Sequence, residues 1–228
     1  MNLTAEIRNY QVKSPLPPEK IKISREYEVM EILKYSFPER FAGLRKAEAP
    51  DLQDAKRNLG IEVTSALSPR DEQITGESIK YSHAKTEAER EKCLRIIHKC
   101  GGTRDEISIG YPVSTADSDK AHVIDAFRKK MKKVDQYHEQ FQHVGLAILI
   151  DIPLFFFYDS EWGEWLDEIN ERKFSFVALV HWSGVDIYDF SVRKYLTKRI
   201  IREDMDALKK LGRMAAEGII KDNDSVWQ

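Results

Sequence analysis

Two carboxylates eleven residues apart are the groups in this chain best placed to do chemistry: Asp51, directly after Pro50, and Glu62, inside the short apolar segment Leu59-Gly60-Ile61-Glu62-Val63-Thr64. Ile61 and Val63 are β-branched, and successive strand residues point to opposite faces, so Glu62 and Thr64 lie side by side on the face away from them. A glutamate in mid-strand is costly to desolvate unless it sits at a sheet edge, in an ion pair or on a metal. The proline before Asp51 imposes an extended approach to it. With a polar turn from Asp54 to Asn58 closing a hairpin, the two carboxylates meet at one end of a sheet. Such a pair suits Mg²⁺ (or Mn²⁺), a hard ion that keeps several waters and completes its shell with substrate phosphate oxygens.

The residues Pro50-Asp51 and Glu62-x-Thr64 together resemble the PD-(D/E)xK nuclease superfamily, the restriction-endonuclease-like fold. The resemblance implies an α/β chain with a restriction-endonuclease-like core: a central mixed sheet flanked by helices, with helical additions. It implies a metal-dependent nuclease that hydrolyses phosphodiester bonds in DNA through a metal-activated water. Asp51, Glu62 and the backbone carbonyl of Val63 would hold the metal, with Glu26, Thr64, Gln73 and Lys80 completing the catalytic set. A homodimer is the form such proteins take where both strands are cut. One departure matters: Thr64 stands where the family has its lysine. Threonine donates one hydrogen bond and carries no charge, whereas a preorganised charge lowers such a barrier by several kcal/mol. Another cation must then reach in, with Lys80, Lys46 and Lys129 as candidates in that order. Otherwise the chain is a catalytically silent module on the same fold, binding nucleic acid or a protein partner.

These residues need elements to position them. Ser24 reads as the N-cap of a first helix from Arg25 to about Ser36, stopped by Phe37-Pro38. Its apolar stripe is Val29, Met30, Leu33 and Phe37, and Glu26 falls within it, with Glu28 as reserve. Glu26 is either an accessory acid or a first-turn glutamate favoured by the helix dipole. Strands are expected over 41–47, 48–51 and 59–65. Ser68-Pro69-Arg70-Asp71 starts the next helix, which places Gln73 near the acids and Lys80 on the same face if the helix continues past Gly76. Thr86-Glu87-Ala88-Glu89 is a capping box for a helix running to about Lys99, ended by Gly101-Gly102. A loop with one short strand follows, and then a long helix from Asp119 to His143.

That long helix carries Arg128, Lys129, Lys130, Lys132 and Lys133. They form either a solvated face or a phosphate-contacting ridge, with Arg128, Lys129, Lys132 and Lys133 as the nucleic-acid candidates. The apolar run from Gly145 to Ile152 and the segment from Phe174 to Val180 read as strands buried on both faces. Ser183-Gly184 turns the latter back into 185–190. A short helix over 160–172 bears Trp162 and Trp165, which suit packing better than base stacking. An amphipathic helix from Arg202 to Glu217 ends at Gly218, and Arg193, Lys194, Lys198, Arg199 and Arg202 form a second basic cluster. The block from His122 to Pro153, together with GIEVTSALSPRDEQ, is also similar to a group of uncharacterised bacterial proteins, a likeness of layout that implies no activity.

A chain of 228 residues, 42% hydrophobic and 32% charged, suits one α/β domain. The expected organisation is an extended arm over 1–22, a single nuclease-like domain over 23–220 and a polar tail over 221–228. A net charge of −2 argues against bulk polyanion affinity while leaving room for a basic face around an acidic site. No apolar run approaches the ~20 residues of a membrane span. The start of the chain lacks the features of a secretory signal, and two cysteines fit a reducing, cytoplasmic setting. Cys93, His98 and Cys100 fall one ligand short of a zinc tetrahedron.

Overall fold

A computed structural model describes residues 7, 9–12, 14–105, 108–113, 115–150, 166–168, 170 and 173–220. In chain order come α1 (Pro18–Ser36), α2 (Pro38–Phe41), β1 (Arg45–Lys46), β2 (Leu52–Asp54), β3 (Leu59–Ser65), α3 (Pro69–His83) and α4 (Glu87–Lys99). There follow β4 (Thr103–Arg104), β5 (Ile109–Gly110), α5 (Ala116–Met131), α6 (Val134–His138), β6 (His143–Leu149), β7 (Phe176–His181), β8 (Gly184–Asp189), β9 (Lys194–Arg199) and α7 (Arg202–Glu217).

Seven strands form one mixed sheet in the order β1-β2-β3-β6-β7-β8-β9. β1, β2 and β3 make an antiparallel meander, β6 and β7 join β3 in parallel, and β8 and β9 return antiparallel. One face carries Ile61, Val63, Ala147 and Ala178 against Val29 and Leu33 of α1 and Leu208 and Leu211 of α7. The other carries Val144, Leu146, Ile148 and Val177 against Val123 and Phe127 of α5 and Val134 of α6. Cover on both faces is why β6 and β7 read as unbroken apolar runs. β9 is exposed along its whole length at the sheet edge.

Local chemistry fixes the hairpin that carries the acids. Asp54 is buried at the end of β2, where its Oδ1 accepts from the backbone N–H groups of Lys56 (3.0 Å) and Arg57 (3.2 Å). Its Oδ2 accepts from the Arg57 guanidinium at 3.0 Å. Ser68 caps α3 by accepting from Asp71 N at 3.0 Å, and Thr86 and Glu89 form the capping box of α4. Gly218, at φ 80, closes α7 in the left-handed conformation that glycine adopts without penalty.

Several boundaries differ from expectation. α1 begins at Pro18, so 18–22 belongs to a helix rather than to an extended arm, and Ser24 is an interior residue. Proline is tolerated in a first helical turn because that N–H has no intrahelical partner. Glu26 is therefore in the body of the helix, and the helix dipole does not explain it. The strand expected over 41–47 shrinks to Arg45–Lys46, because Phe41 ends the short α2 with its ring fully buried. Residues 48–51 bend, through a cis Ala49–Pro50 peptide, and pairing starts at Leu52. The long helix is two, broken at 132–133, and it starts at Ala116 with Thr115 as N-cap. The basic cluster at 194–199 is strand β9. Most of the helix expected over 160–172, with Trp162 and Trp165, and the tail over 221–228 lie outside the described residues. Among the described residues no helix is long and apolar enough to cross a membrane.

Candidate active site

The register of the hairpin brings the acids together. Leu52 pairs with Ile61, so Asp51 stands at the next position, opposite Glu62. Asp51 Oδ2 accepts from the backbone N–H of Val63 at 2.8 Å, which fixes the carboxylate across the end of the pair. Glu26 joins them from α1, lying three residues before Val29 on the helix face that packs against the sheet. The three carboxylates are almost closed off: Glu26 is 3% exposed, and Asp51 and Glu62 are 6% exposed each.

Buried carboxylates need counter-charge, and each here has an ammonium. Lys46 of β1 reaches Glu26 Oε2 at 3.0 Å. Lys22, one turn earlier on α1, lies 3.1 Å from Glu26 Oε1 and 3.5 Å from Asp51 Oδ1. Its own pKa is raised, chiefly by the hydrogen bond to Glu26, with Asp51 adding to it against the opposing effect of burial. Lys130 of α5 donates to Glu62 Oε1 at 2.6 Å. Tyr137 of α6 approaches Glu62 from the same side; burial raises its pKa well above the ordinary value, and its hydrogen bond to Glu62 raises it further.

Beside these groups opens a cleft of about 520 Å³ lined by Lys22, Arg25, Glu26, Thr64, Lys80 and Lys130, with Ile21 and Ile79 as apolar walls. α1 and α3 form its sides, and the ends of β3 and β6 its floor. A larger cavity of about 780 Å³ lies at the other end of the strands, lined by Arg40, Arg57, Lys173 and Arg193 among others. Each of those cations is ion-paired, Arg40 to Asp189, Arg57 to Asp54, Lys173 to Asp135 and Arg193 to Asp167, at 2.9–3.3 Å. The smaller cleft is the one that Glu26 lines, together with Lys22 and Lys130, the lysines that pair with Asp51 and Glu62.

The structure thus brings Glu26, Asp51, Glu62 and Thr64 to one place and leaves other expected residues elsewhere. Gln73 turns toward α4, where its Oε1 accepts from Cys100 Sγ at 3.3 Å. α3 does continue past Gly76, yet Lys80 is spent on Glu77 at 2.6 Å and only borders the cleft. Glu28 faces α7, whose Gly212 approaches its backbone. Lys129 points into solvent with Arg128, Lys132 and Lys133. The cation on Glu62 is the neighbouring Lys130. Its signal was present in the sequence: Val123, Phe127, Lys130 and Val134 follow the 4-3-4 spacing of a buried helix stripe, and a lysine in such a stripe needs an acid to meet.

Among the described residues no three His, Cys, Asp or Glu side chains converge into a metal cage. Mg²⁺ does not require one, since it is held by one or two carboxylates with waters and phosphate oxygens filling the rest. The donors present are hard carboxylate oxygens, and the positions beside them attract cations already, in the form of lysine ammonium groups. That donor set fits a hard divalent ion. No family model, no curated protein and no solved structure matches the chain.

Proposed function

We propose that this protein is a metal-dependent nuclease that hydrolyses phosphodiester bonds in DNA, built on a restriction-endonuclease-like core. The observation that carries the proposal is the pairing of buried Asp51 and Glu62 across one hairpin, with a lysine ammonium 2.6 Å from Glu62 although the motif lysine is replaced by Thr64. The order of elements, a helix, a three-stranded meander, helices and then a strand parallel to the third, supports the same assignment.

A bound Mg²⁺ or Mn²⁺ would supply an activated water and neutralise charge developing on the phosphate. Asp51 and Glu62 would hold it, with the Val63 carbonyl as a further ligand. Lys130 places a positive charge at the acids and offers it to the phosphate oxygens, the part the motif lysine would otherwise play. Glu26 would orient a water, and Thr64 at the cleft can donate a hydrogen bond to substrate. Arg128, Lys129, Lys132 and Lys133, exposed near the end of α5, would meet flanking phosphates. Cutting both strands of a duplex calls for two such sites, which a homodimer would supply.

The test is cleavage of supercoiled, linear and single-stranded DNA in Mg²⁺ or Mn²⁺, with the wild type beside Asp51→Ala and Glu62→Ala. Activity that both substitutions abolish supports the nuclease. A second function, a catalytically silent module that binds nucleic acid or a protein, is favoured by one observation: every acid of the site is already neutralised by a lysine. It predicts no cleavage of any substrate and no metal-induced rise in melting temperature.

A further inference from the structure

The three ammonium groups of the site differ in how firmly they are held. Lys46 and Lys130 have side chains 14% and 21% exposed and approach their carboxylates through the protein. Lys22 is 76% exposed, yet its Nζ bridges two buried acids from different elements, Glu26 of α1 and Asp51 beside β2. Glu26 has no electrostatic need of it, because Lys46 already lies 3.0 Å from its other oxygen. An ammonium bridging two carboxylate oxygens occupies the kind of position a hard cation takes.

We infer that Lys22 is an internal competitor for cation loading, a regulation of the metal-dependent site proposed above and resting on that proposal. A divalent ion held by Asp51 must displace the Lys22 ammonium from that carboxylate. Ion pairs at this degree of exposure are weak and exchange readily, so displacement is feasible, whereas Lys46 and Lys130 stay in place. Once displaced, Lys22 stands at the mouth of the cleft beside Arg25, where a substrate phosphate can take up its charge. Cation and polyanion then each favour the other's binding, and by linkage the coupling is reciprocal. The free protein holds its carboxylates closed with its own cation and opens them when both ligands are present.

The experiment measures Mn²⁺ binding to the full chain without nucleic acid, by the electron paramagnetic resonance signal of the free ion, at constant ionic strength. Wild type is compared with Lys22→Met, Lys22→Arg and Lys22→Met/Asp51→Asn. Lys22→Met is expected to bind Mn²⁺ at least about fivefold more tightly than wild type, the lower end of typical coupling between sites. Lys22→Arg, which keeps the charge, should resemble wild type, and adding Asp51→Asn should remove the gained affinity. The exposure of Lys22 means that the variants should fold, which the melting temperature in the absence of Mn²⁺ verifies. Equal Mn²⁺ affinity of wild type and Lys22→Met overturns the competitor role and leaves the metal site standing. No Mn²⁺ binding by either overturns both.

Discussion

The ammonium of Lys130, from the last turn of α5, lies 2.6 Å from Glu62 Oε1 in the middle of β3. Charge that a lysine two residues after Glu62 would have supplied along the strand arrives instead across the packing of a helix on the sheet. Thr64 is free to line the cleft without leaving the buried glutamate unpaired.

Lys130→Met should lower DNA cleavage by at least about 100-fold, the usual scale for removing a preorganised charge from a reacting site. Lys80→Met, which breaks only the pair with Glu77, should stay within about threefold of wild type on the same general expectation for a rim ion pair. Steady-state cleavage of one DNA substrate by both variants checks this, and the opposite ranking would give the role to Lys80.

Tyr137→Phe removes the hydroxyl that is hydrogen-bonded to Glu62 and leaves the ring in its buried place. A hydrogen bond to a charged group contributes roughly 1.5–3 kcal/mol. The variant should therefore unfold at lower urea and cleave more slowly, with Lys130 still present to carry the remaining activity.

Gly212→Ala tests how α1 is held. A Cβ at Gly212 would come within 2.7 Å of Glu28 N and 2.8 Å of Ser24 O, so α7 and α1 touch backbone to backbone there. Overpacking of this kind costs about 1–3 kcal/mol. Urea unfolding should show that loss, and because Glu26 rides on α1, cleavage should fall as well.

Glu217 of α7 ties down the start of the chain. Tyr10 donates its hydroxyl to Glu217, and Arg213 bridges Glu217 and the carbonyl of Ser14. Burial pushes the Glu217 carboxyl up, but hydrogen bonds from Tyr10 and Arg213 outweigh it and hold the pKa below the ordinary 4.5. A depressed folded pKa contributes stability above the unfolded value that is lost as pH falls through the folded one. The urea midpoint of wild type should thus exceed that of Glu217→Gln near neutrality, and the gap should close as pH drops below about 4.5.

Where local chemistry decides, the sequence was a sufficient guide. Strand Leu59–Ser65, the Ser68 and Thr86 caps and the helix from Arg202 to Gly218 all follow from alternation, capping residues and periodicity, and all are present. Two-residue strands such as Arg45–Lys46 have no such signature, because only the neighbouring β2 defines them. The start of α1 was obscured by Pro17-Pro18, residues that suit both an extended arm and a first helical turn. Asp51, Glu62 and Glu26 were legible as acids in unusual places. Their cations were harder to read: Lys46 was among the candidates and does reach Glu26, whereas Lys22 and Lys130 were not, and the choice depends on how α5 and β1 pack rather than on spacing along the chain.

Glu62 and the lysine that neutralises it are 68 residues apart. During synthesis, the meander with its acids leaves the ribosome well before α5 does, and β3 waits equally long for its parallel partner β6. A nascent or truncated chain ending before α5 carries the carboxylates without the lysine that completes them. Order of translation therefore leaves Glu62 without its counter-charge until α5 has emerged, and fragments released early would lack the Lys130–Glu62 pair.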